Sequence, residues 1–88
     1  MNIQLVLARN TPHGQHTEKI WQTVCTKNSL ELQVHDIETQ QAQTLIEQIN
    51  IKTFPALIVD KKIIAVGNPD HKTAERIFQS LISSHSHN

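Results

Sequence analysis

Ile51-Lys52-Thr53-Phe54-Pro55-Ala56-Leu57-Ile58-Val59-Asp60-Lys61-Lys62-Ile63-Ile64-Ala65-Val66-Gly67 holds a proline, two apolar runs and a two-residue break between them. Ala56 to Val59 reads as a short strand. Asp60-Lys61 is a tight turn, and Lys62 to Val66 pairs back as a hairpin that Gly67-Asn68-Pro69 ends. Ile51 to Pro55 is a loop leading in, because the residue before a proline is biased toward extended backbone.

Working outward, Ile3 to Ala8 is nearly continuous in apolar residues, the mark of a strand buried on both faces. Arg9 to Gly14 reads as a loop, and a helix is predicted over Gln15 to Asn28, with Ile20, Trp21, Val24 and Cys25 spaced by threes and fours. Leu30 to Ile37 starts with strict alternation of Leu30, Leu32 and Val34 against Glu31, Gln33 and His35, which suits an edge strand. Thr39 to Ile49 carries one stripe of Ala42, Leu45, Ile46 and Ile49. The last helix starts near Pro69-Asp70, with Ala74, Ile77, Phe78, Leu81 and Ile82 on one face. The domain covers residues 1–83, and 84–88 form a polar tail. The order β-α-β-α-β-β-α predicts an α/β domain: a mixed four-stranded sheet with helices on both faces. Its two strand–helix units imply parallel strands, to which the final hairpin adds an antiparallel partner.

Composition narrows the function classes. Lys plus Arg is 8 and Asp plus Glu is 8 in 88 residues. A balanced charge argues against a nucleic-acid partner bound through bulk charge. No apolar run approaches the roughly 18 residues of a membrane span, and Met1 to Ala8 does not read as a signal peptide. The expectation is a cytoplasmic protein with no membrane partner. A single cysteine, Cys25, leaves no internal disulfide and no four-cysteine metal site.

The element order, with Ile3 to Ala8 as first strand, the loop Thr11-Pro12-His13-Gly14, and Ile51 to Lys62 with Pro55 just before the third strand, resembles the thioredoxin fold. In length and spacing the chain is similar to the small glutaredoxin-sized branch called redox-active disulfide proteins. The resemblance implies a cis peptide at Phe54-Pro55, facing the active site. It also implies that Thr11-Pro12-His13-Gly14 stands where active members carry Cys-X-X-Cys, with both cysteines lost. Asn10-Thr11-Pro12 further resembles the loop of KaiB-type proteins, cysteine-less members that act as protein-binding modules.

Thiol–disulfide exchange needs a thiolate. A threonine hydroxyl does not ionise near neutral pH and glycine has no side chain, so dithiol chemistry is excluded at this loop. Cys25 lies roughly 20 Å along the helix from Thr11 and reads as a packing residue beside Trp21, the alternative being a regulatory or intermolecular thiol. Thr11 reads as a helix cap. His13 and His16 share a face at i, i+3 spacing and are the candidate metal ligands, although zinc needs three or four. His35 could join them only if its strand face turned toward the loop. No cofactor is implied.

The leading expectation is a non-catalytic module that binds an unidentified peptide or protein partner through Thr11, Pro12, His13, Gly14, Thr53, Phe54 and Pro55. In the resembling family an extended substrate pairs with the backbone beside the proline. The alternative is a glutathione-dependent or metal-dependent enzyme or carrier using His13 and His16. A third reading is a structural subunit that pairs through the second strand.

Overall fold

The computed structural model describes residues 1–85. The elements are β1 (Ile3–Leu7), α1 (Pro12–Lys27), β2 (Leu32–Asp36), α2 (Gln40–Ile49), β3 (Ala56–Val59), β4 (Lys62–Val66) and α3 (His71–His85). The expected order is therefore present, and the hairpin strands keep their predicted bounds. Asp60 and Lys61 take φ of 50° and 70°, the positive pair that a two-residue turn needs to match strand twist. α3 continues to His85, beyond the Ile82 where the apolar periodicity stops. Residues 86–88 of the expected tail lie outside the described residues.

The sheet order is β2-β1-β3-β4. β1 and β2 are parallel, while β3 is antiparallel to both β1 and β4. This corrects the expectation that both strand–helix units join parallel strands. Asp36 at the end of β2 pairs with Leu7, and Ala56 at the start of β3 pairs with Val6. Both therefore sit at the same end of the sheet. α2, about 15 Å long by its ten residues, leads the chain away, and the segment 50–55 brings it back. That return places Pro55 beside the C-terminal end of β1, where α1 begins.

The two faces bury separate clusters. Ile3, Leu5, Leu7, Leu57 and Val59 meet Ile20, Trp21, Val24 and Cys25 of α1 and Ala74 and Phe78 of α3. On the other face Val6, Ala56 and Ile58 meet Ala42 of α2 and Ile51. β1 and β3 are central and apolar on both sides, as the unbroken run Ile3–Leu7 implies. β2 is an edge, with Leu32 and Val34 half-buried. The other edge, β4, leaves Ile63, Ile64 and Val66 exposed, which the hairpin pattern alone does not reveal.

Polar contacts fix the helices to one another. The Arg9 guanidinium donates twice to the Glu18 carboxylate at 3.0 Å, holding the chain's entry into α1. Lys27 Nζ meets Glu75 Oε1 at 2.7 Å between α1 and α3, and this bond with its charge holds the Glu75 carboxyl below the usual range. Asp70 accepts from the Thr73 backbone N–H at 2.7 Å, as a cap of α3. That bond lowers the Asp70 pKa.

Candidate functional site

Thr11 to Gly14 is not a free loop: α1 begins at Pro12, three residues before the predicted start. Proline suits the first helical position, because its fixed φ is already helical and its missing N–H would be unpaired there. Thr11 caps the turn. Its Oγ1 accepts from the Gly14 N–H at 2.9 Å and donates to the Ala8 carbonyl at 2.9 Å. A threonine cap is worth about 1 kcal/mol. A hydroxyl engaged on both sides is a structural group, as expected of a helix cap.

Gly14 is buried, and the helix passes so close to β1 that a Cβ there would lie 2.0 Å from the Ala8 carbonyl oxygen. Glycine is the residue that permits this approach. The Phe54–Pro55 peptide is cis. The Pro55 carbonyl accepts from the Gly67 N–H at 2.8 Å, joining the end of the hairpin to this turn.

These three segments enclose a shallow recess of about 170 Å³, lined by Ala8, Thr11, His13, Gly14, Phe54, Pro55 and Asn68. Five of the seven expected binding residues are thus brought together: Thr11, His13, Gly14, Phe54 and Pro55. Pro12 and Thr53 adjoin the recess in sequence and are exposed, but do not line it. Ala8 and Asn68 were missed. Asn68 reads as turn punctuation in Gly67-Asn68-Pro69, and two contacts place it here: the hydrogen bond from Gly67 to Pro55 and one from the Thr17 hydroxyl to its own side chain. Phe54 is 37% exposed, whereas Trp21 is buried, so Phe54 is the large apolar group at the recess.

Cys25 is fully buried in the α1–α3 cluster. Burial raises its thiol pKa from 9.0 to about 11, so the protonated, unreactive form dominates at neutral pH. Native protein at pH 8 is expected to leave Cys25 unlabelled by iodoacetamide, and denatured protein to label fully, as read by intact mass. Stability should also decline as pH rises through the interval from 9.0 to about 11. There the unfolded thiol has lost its proton and the folded one retains it.

His13 and His16 are exposed on the first turns of α1. Among the described residues no group of three or more His, Cys, Asp or Glu gathers around them. His35 does not turn toward them. Its Nε2 is 2.9 Å from Gln4 Oε1, and it lines a larger cleft of about 840 Å³ against α2, with Gln41, Thr44, Gln48 and Lys61. That cleft is larger than the recess, and Gln41, Thr44, Gln48 and Lys61 of its lining are exposed. The recess is smaller and is built from three segments distant in sequence.

No described helix is long and apolar enough to cross a membrane. A family model described as the thioredoxin domain matches residues 1–79. Thioredoxin 1 from the thermophilic eubacterium Thermosipho africanus TCF52B superposes with a TM-score of 0.74 at 13% identity, over 98% of this chain and 99% of that one. At that identity the likeness is one of fold. No curated protein matches the chain. The strand order, the capped α1 turn beside Pro55 and the family match together place this chain in the thioredoxin-domain family.

Proposed function

We propose that this chain is a non-catalytic thioredoxin-fold module of the cytoplasm that has lost the redox dithiol and binds an extended peptide or a segment of a protein partner. Binding uses Thr11, Pro12, His13 and Gly14 on one side and Thr53, Phe54 and Pro55 on the other. The observation that carries the reading is the recess joining these segments with no sulfur in its lining. The one hydroxyl there, on Thr11, is committed to the helix cap. The one thiol of the chain is buried elsewhere.

Exchange with a disulfide requires a thiolate as attacking group, so this lining can hold a ligand but cannot exchange electrons with it. Two features favour an extended peptide. Among the described residues, the backbone groups of Thr53 and Phe54 have no hydrogen-bond partner within the chain, and so are available to pair with an added strand. The half-exposed Phe54 ring supplies an apolar contact beside them.

Titrating ¹⁵N-labelled protein with reduced glutathione, a short extended tripeptide, tests the reading. Resonances of residues 11–14 and 53–55 are expected to shift together and saturate. Shifts confined to other surfaces, or no shifts at millimolar glutathione, would count against it.

A further inference from the structure

Thr17 is the buried polar side chain of the described core, with no exposure to solvent. Its Oγ1 donates to Asn68 Oδ1 at 2.5 Å, across 51 residues of sequence. A hydroxyl shut away from water costs free energy unless paired, so this bond is held firmly. Asn68 itself is exposed and lines the recess. An exposed asparagine would ordinarily sample several rotamers and either amide orientation. Here the planar amide has its oxygen fixed by Thr17. That contact restrains the amide, and among the described residues Nδ2 has no hydrogen-bond partner within the chain.

We infer that Thr17 positions Asn68 as a fixed hydrogen-bond donor of the recess, selecting a ligand that presents a backbone carbonyl there. The inference rests on the peptide-binding reading above and adds to it the polarity of the ligand. Phe54 offers the apolar wall and Asn68 the donor, so an extended peptide docks with a carbonyl toward Nδ2. Asn68 is the contacting residue, and Thr17 is a positioning residue that acts through it.

Asn68→Asp separates this role from a structural one. A carboxylate keeps an oxygen to accept from Thr17, so the loop stays tied to α1, but the donor is gone and an acceptor faces the ligand's carbonyl. With reduced glutathione as probe, Asn68→Asp is expected to weaken binding roughly tenfold with thermal stability unchanged. The Asn68 side-chain Nδ2 resonances of the parent protein are expected to shift during the titration. Thr17→Val should weaken binding similarly and Thr17→Ser restore it, because serine keeps the hydroxyl. If Thr17→Val fails to fold, Asn68→Asp and the side-chain resonances still decide the matter. Equal affinity in Asn68→Asp, with residues 53–55 still shifting, overturns this inference and leaves the peptide-binding reading standing. Absence of any shift in residues 11–14 and 53–55 overturns both.

Discussion

Gly14→Ala is expected to destabilise the protein by about 2 kcal/mol, in the opposite direction from the usual effect of that substitution in a helix. Alanine is favoured over glycine in a helix interior by about 1 kcal/mol, so an unconstrained site would gain stability. At this position the added Cβ would stand 2.0 Å from the Ala8 oxygen, 2.8 Å from Thr11 Oγ1 and 3.0 Å from the Ala8 carbonyl carbon. Two of the three are backbone atoms, which cannot swing aside as the end of a long side chain can. Overpacking of this kind costs about 1–3 kcal/mol or more. Relief requires moving the Ala8 carbonyl, which is also the acceptor for the Thr11 hydroxyl, so the cap loosens with it. Cysteine carries the same Cβ, and Gly14→Cys should lose stability by the same route. Urea unfolding measures this as a lower midpoint at unchanged slope. A midpoint equal to or above that of the parent protein would show that the turn between β1 and α1 is more pliable than its geometry implies.

Phe78→Ala is expected to cost about 4 kcal/mol, the range for removing a large aromatic side chain from a core. Phe78 has no solvent exposure and lies in the cluster that joins α1 and α3 to the sheet. That cluster also holds Trp21, the single tryptophan, so its fluorescence reports the same region. A domain of this length is stable by roughly 5–10 kcal/mol, which makes the loss a large part of the total. The variant should unfold at clearly lower urea, with Trp21 emission moving to the red as the cluster opens. Gln79→Ala, one residue on and exposed, should change stability by less than about 0.5 kcal/mol. Similar midpoints for the two variants would mean that α3 contributes little to the core.

How far the sequence reaches can be argued from single residues. The hairpin was legible because its signals are local: four apolar residues, a two-residue turn and a second run need only their neighbours. The face of α3 was legible for the same reason, since Ala74, Phe78 and their companions repeat at the helical period. The start of α1 was not. Asn10, Pro12 and Gly14 are loop-forming residues by local preference, and the winning effect is tertiary: the cap at Thr11 and the close passage of Gly14 over Ala8. The direction of β3 was misread because helix and strand patterns show which elements exist but not the end of the sheet from which each one starts.

The candidate site divides in the same way. Its proline and its single cysteine are facts of composition and order, so they stand before any coordinates. The expectation that Thr11, Pro12, His13, Gly14, Thr53, Phe54 and Pro55 meet came from resemblance, and the fold brings all but Pro12 and Thr53 into one lining through the antiparallel return that sets Ala56 beside Val6. Asn68 was invisible as a lining residue because its place depends on Thr17, a partner 51 positions away.

By itself, the order of residues determined that this chain forms an α/β domain with one isolated cysteine and a proline before its third strand, because periodicity and composition are local properties. The tertiary structure alone decided that Gly14 has no room for a side chain and that Asn68 lines the recess. Each depends on atoms brought close by chain return, a distance that no local pattern encodes.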